Sequence, residues 1–204
     1  MANEMVKQPT APLVPGPHEP CSRMGLVSVA AGDFELTLDE LRAVARYAVE
    51  SAQEVLSLFE NVHPEDPRPR AAIDAAWTFA DGGARTNLQR VSALDAHRAA
   101  KEAITDAARH AALAAGDAAA AAYLHPLAKA TQVGHILRAA ANAAHATELG
   151  AGNDPHSGGA FIEEARVRAT PTVIDVLRRY PRAPTGTTRV AHLMTALDDA
   201  LRSP

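Results

Sequence analysis

The stretch FELTLDELRAVARYAVESAQEVLSLFE, residues 34–60, decides the fold class. Thr37 and Glu40 stand at the S/T-x-x-E spacing in which hydroxyl and carboxylate each satisfy an orphan backbone N–H at a helix start. Leu36 before the cap and Leu41 inside it supply a hydrophobic staple. Leu41, Val44, Ala45, Ala48, Ala52, Val55 and Phe59 then recur at three- and four-residue steps, which is one apolar face of a helix.

The same grammar continues along the chain. Asp66-Pro67 reads as a cap followed by proline at the first helical position, opening a helix through Ile73 and Trp77 that Asp81-Gly82-Gly83 stops. Thr86 and Gln89 form a second capping box, and the helix it opens is one long element or two broken near Thr105. A short alanine helix is expected after Gly116, ending at Tyr123. His125-Pro126 predicts a break, and a fresh helix should run to Leu149 with Gly150 just past its end. Beyond the turn-rich AGNDPHSGG, three shorter helices follow: AFIEEARVR, PTVIDVLRRY capped by Thr170, and TRVAHLMTALDDALR. No segment alternates apolar and polar at period two. The fold is all-α, an array or bundle of about six to eight helices without a sheet, over residues 33–204 as one domain. Residues 1–32, with Pro9, Pro12, Pro15, Pro17 and Pro20, read as a flexible proline-rich leader in which Met24 is a candidate start.

Composition narrows the function classes. Hydrophobic residues make up 47% and aromatics only 4%, so the core is alanine-dominated and suits closely packed helices. The net charge of −4 gives no basic excess for neutralising phosphates, which argues against nucleic acid. The one cysteine, Cys21, cannot close an internal disulfide. The first residues lack the apolar core of a signal peptide, and the alanine run is too short to span a bilayer. The expectation is a cytoplasmic protein, away from membranes.

Three histidines punctuate YLHPLAKATQVGHILRAAANAAHATELG, residues 123–150. On a helix His135, Arg138, Asn142 and His145 share one polar stripe, read first as a solvated face. His135 and His145 lie about 15 Å apart along the axis, too far to hold one ion, and no metal or cofactor is expected. Tyr123 and His125, at the proline break, form an elbow that could line a cleft with Lys129 and Gln132. Its ordinary alternative is capping and core packing. Elsewhere Asp95, Arg98 and Glu102 read as a salt ladder, Asp74 with Arg68 and Arg70 as a similar cluster, and Arg178-Arg179 as complements of a helix C-terminus.

Phosphate loops, dinucleotide fingerprints, zinc-protease helices and nucleophile elbows are all missing from the sequence. FELTLDELRAVARYAVESAQEVL, RPRAAIDAAW, TNLQR, ALDAHRAAKEA, AAAAYLHPLAKATQVGHILRAAA and ATPTVIDVLRRYP, in this order over residues 33–202, resemble a family of small actinobacterial helical proteins. It is the immunity-five-like group of polymorphic toxin systems. The resemblance implies a non-enzymatic binding protein whose partner is a cognate toxin, blocked by occlusion. Some members carry the label exonuclease SbcC, but such a subunit needs a phosphate-binding loop and long heptad coiled coils, and this sequence has neither. The candidate surface is Tyr123, His125, Lys129, Gln132, His135 and Arg138. Two further readings stand beside it. One is a helical enzyme or small-ligand protein using Tyr123, His125 and His135. The other is a homo-oligomeric scaffold with an exposed apolar patch on the last helices that includes Leu193 and Met194.

Overall fold

In the computed structural model, which describes residues 33–203, the reciprocal cap at the first helix is present. Thr37 Oγ accepts from the Glu40 N–H at 3.2 Å, and Glu40 accepts from the Thr37 N–H at 2.8 Å. The leader, with Met24 and Cys21, lies outside the described residues. The order is α1 (Leu38–Glu54), α2 (Leu56–Glu60), α3 (Arg68–Ala80), α4 (Asn87–Glu102) and α5 (Asp106–Ala120). Then come α6 (Gly134–Gly150), α7 (Pro155–Arg168), α8 (Pro171–Arg178) and α9 (Arg189–Arg202). Two 3₁₀ turns, Ala121–Tyr123 and Ala130–Val133, lie between α5 and α6. No strand occurs among the described residues, so the fold is all-α.

The centre is α6, which packs against α1, α5, α7 and α9. Both its faces are buried, because Ile136, Ala139, Ala140 and Ala143 fill one side and the polar stripe meets α5 on the other. Alanine at most of the α5 and α6 contact positions lets the two backbones approach closely. Phe59, Phe79, Leu41, Leu56 and Ile73 supply the bulk that alanine cannot.

Several boundaries differ from the sequence reading, each for a local reason. The first apolar run is two helices, interrupted at Val55 (φ −105°, ψ 0°). Thr105 is the N-cap of α5, so the element after Thr86 is two helices. Gly116 does not start a new helix. It lies inside α5, and a Cβ there would collide with the His97 ring, so the residue marks a close approach of α4. After Pro126 the chain stays irregular until the second 3₁₀ turn, so α6 begins eight residues beyond the proline. Gly150 is the last residue of α6, and the left-handed positions are Gly152 (φ 77°) and Asn153 (φ 65°). α7 starts at Pro155 behind an Asp154 cap, earlier than AFIEEARVR suggested. Pro67, expected as the first helical residue behind an Asp66 cap, is itself the N-cap of α3, which has no side-chain cap bond, while the Asp66 carboxylate one residue further out accepts from the Arg68 N–H at 3.1 Å.

The expected patch around Leu193 and Met194 is not on the surface. They are 3% and 7% exposed, because the amphipathic face of α9 closes over α6 and α7. The ladder on α4 is also partly redirected. Arg98 pairs with Asp95, whereas Glu102 pairs with Arg68 of α3. Arg70 turns to Glu60 instead of Asp74.

Candidate functional site

The break between α5 and α6 is an ordered elbow. The Tyr123 hydroxyl donates to the Thr86 carbonyl at 2.7 Å, and the Arg85 guanidinium lies 5.7 Å from its ring centre. The His125 N–H donates to the Gln132 side-chain oxygen at 2.9 Å, and the His125 carbonyl accepts from the Tyr180 hydroxyl at 2.9 Å. Proline at 126 removes a donor and disfavours helix before it, so these side chains take over the satisfaction of free backbone groups. Asp33 completes the tie. Its N–H donates to the Pro126 carbonyl at 2.7 Å, and its carboxylate accepts from the Ala128 N–H at 2.6 Å.

A hollow of about 370 Å³ opens between this elbow and α4. Its walls include Tyr123, His125, Arg90, Leu94 and His97. His97 leads inward, with Nε2 3.5 Å from the Asp117 carboxylate. Asp117 is buried, and it accepts from Arg138 Nε at 3.0 Å and from the Asn142 amide at 2.8 Å. The Asn142 oxygen meets His110 Nδ1 at 2.8 Å, and the His110 ring packs edge-on against His145 at 4.5 Å. His145 bonds Glu148 at 3.0 Å, and Arg189 of α9 closes the line on the same carboxylate. A polar seam thus runs along the α5–α6 contact from the hollow to α9.

Burial sets the titration of this seam. It pushes the His110 and His135 imidazoles below their ordinary range, since a desolvated imidazole resists protonation. Burial also pushes the Glu148 carboxyl up, but bonds from Arg189 and His145 outweigh it and hold the group below the usual carboxylate range.

Of the residues picked from sequence, Tyr123 and His125 meet at the hollow and Lys129 stands exposed beyond it. Gln132 is folded back onto His125. His135 does not share the hollow, because its Nδ1 is turned to the Ala120 carbonyl at 3.1 Å. Arg138 is held against Asp117. The stripe His135, Arg138, Asn142 and His145 is real, but a solvated face is the wrong reading, since all four face α5. Tyr123, His125 and His135 therefore do not converge on one point. Among the described residues, no group of three or more histidine, cysteine and acidic side chains is placed to hold a metal ion. No helix among them is long and apolar enough to cross a membrane.

Sequence reasoning missed Asp117, His97 and the outer face of α4. A signal for Asp117 was present, since a lone carboxylate within AALAAGDAAA, residues 111–120, is out of place unless it is paired. On α4, Leu88, Val91 and Leu94 are 54%, 45% and 49% exposed beside the hollow. Arg90 and Lys101 are exposed near them and make no ion pair among the described residues. No curated protein and no solved structure matches the chain. The sequence model of the family described as "Imm-5 like putative immunity protein" matches residues 35–165, from the start of α1 into α7, and the chain belongs to that family.

Proposed function

We propose that this protein neutralises a cognate toxin without chemistry of its own, by covering it with the outer face of α4 and the adjoining elbow. Family membership supports the immunity role. The observation that carries the choice of face is the exposed row Leu88, Val91 and Leu94, which continues into the hollow lined by Tyr123 and His125. Apolar side chains in a row on a helix gain from burial against a partner, and a hollow at the end of the row can seat an anchoring side chain. The candidate residues Lys129 and Gln132 belong to the loop that shapes this rim, whereas His135 and Arg138 support it from below.

The local charge refines the partner. The acidic carboxylates on α4, Asp95 and Glu102, are both paired with arginines, while Arg90 and Lys101 remain available. The face is basic although the chain is acidic overall, so it fits an acidic toxin surface better than a basic one. It also disfavours a second copy of the same face. The test is co-expression with the toxin encoded beside the gene. Restored growth and co-purification of a stoichiometric complex are the expected result, and a toxin that kills regardless would refute the role.

A further inference from the structure

Four buried side-chain nitrogen or oxygen atoms among the described residues lack a hydrogen-bond partner: Arg42 Nε, Tyr47 Oη, His97 Nε2 and Arg168 Nε. Arg42, Tyr47 and Arg168 lie on the wall of one hollow of about 580 Å³, on the side of α1 that faces the α7–α8 junction. Each of the three orphaned groups is a donor, because Nε–H and phenolic O–H carry protons and arginine cannot accept. Burial also holds the Tyr47 phenol well above its ordinary range, so it keeps its proton. Tyr47 is only 2% exposed.

Other donors stand around them. Arg46 lines the same hollow and commits one nitrogen, to Asp81 at 2.5 Å and to the Ala80 carbonyl at 3.3 Å. Thr170 and Thr172 bring hydroxyls from the start of α8. The guanidinium ends of Arg42 and Arg168 are fixed from outside. Arg42 binds the Gly82 carbonyl at 2.8 Å and Asp39, and Arg168 binds Glu54 and Ser51. Two carboxylates also reach the wall. Asp39 is exposed and turned to Arg42, and Glu50 makes no bond among the described residues.

We propose that this hollow is a binding site for an oxyanion group, a phosphate or a carboxylate, whose oxygens accept from Tyr47, Arg42, Arg46 and Arg168. Buried donors without acceptors are costly, and convergent guanidiniums and hydroxyls match the several lone pairs of a planar or tetrahedral oxyanion. Glu50 is the group that opposes it. The site shares no lining residue with the hollow beside α4 and stands independently of the toxin-binding role.

The test uses the full chain titrated with inorganic phosphate, with acetate and with sodium chloride at matched ionic strength, followed by calorimetry and thermal unfolding. Saturable one-to-one binding of phosphate or of acetate, with none of chloride, is expected, and the tighter of the two names the preferred group. Tyr47→Phe removes one orphaned donor and leaves the fold intact. It should unfold at the same or a higher temperature without ligand while binding at least tenfold more weakly. Glu50→Gln should bind more tightly. No saturable binding of either oxyanion, or equal binding by Tyr47→Phe, overturns the proposal.

Discussion

Asn142 of α6 donates its amide to the Asp117 carboxylate of α5 at 2.8 Å, and the two residues are 4% and 3% exposed. Around this bond the most alanine-rich contact of the fold acquires its register. Alanine against alanine packs closely in several registers, whereas one carboxylate that must meet Asn142, Arg138 and His97 allows a single one. Asp117→Ala leaves Asn142 and Arg138 without their acceptor. Since Arg138 is partly exposed and regains water, the loss is set at the lower end of a broken buried pair, about 3 kcal/mol. Chemical denaturation would measure it, and a loss below about 1 kcal/mol would show that the alanine contact fixes itself.

Acid should destabilise the protein in two stages. The imidazoles of His110 and His135 titrate below their unfolded value of 6.5 because they are buried. The unfolded chain therefore binds more protons than the folded one as pH drops below about 6.5. Stability present at pH 7 is lost progressively through that window. The carboxyls of Glu148 and Glu40, also depressed when folded, add a second loss below about 4.5. Melting temperature against pH would show both slopes. His110→Gln should reduce the first slope to the share of His135 and leave the second.

Two neighbouring glycines of α7 should respond oppositely to alanine. A Cβ on Gly158 would overlap the Glu148 side chain, which is locked by Arg189 and His145 and cannot swing away. Gly158→Ala should cost about 1–3 kcal/mol by overpacking. Gly159 has nothing within 4 Å of such a Cβ and lies in the same helix. Gly159→Ala should stabilise by about 0.5–1 kcal/mol through helix propensity. Thermal unfolding of the pair reads both signs.

The helices were legible because their signals are local. Thr37 with Glu40, Thr86 with Gln89, and Thr170 with Pro171 each declare a helix start within four residues, and all three caps form. The seam was not legible. Periodicity placed His135, Arg138, Asn142 and His145 on one stripe, but a polar stripe looks the same whether it faces water or a partnered helix. The deciding residue, Asp117, lies 21 and 25 positions away from Arg138 and Asn142. Gly116 misled for the same reason, since its role is to admit the His97 ring from another helix. The α4 row was hidden because Leu88, Val91 and Leu94 read as ordinary apolar positions, while the buried face of that helix is made of Gln89, Ser92, Ala93, Ala96, Ala99 and Ala100.

The sharpest prediction concerns that row. Val91→Asp with Leu94→Asp changes two side chains that are about half exposed, so the folded state should lose no more than about 0.5 kcal/mol per site. Any loss of protection against the toxin would then come from the surface itself. Arg90→Glu tests the electrostatic half, and should slow association and weaken its dependence on salt. Val167→Asp on α7 serves as the control, because Val167 is 70% exposed and distant in sequence from the α4 row. The expected pattern is protection by wild type and Val167→Asp, with at least a tenfold loss of toxin affinity in the double variant. Protection by all of them would leave the immunity role standing and move the toxin-binding face elsewhere on the molecule. Wild type that fails to protect, with every variant folded, would remove the role itself.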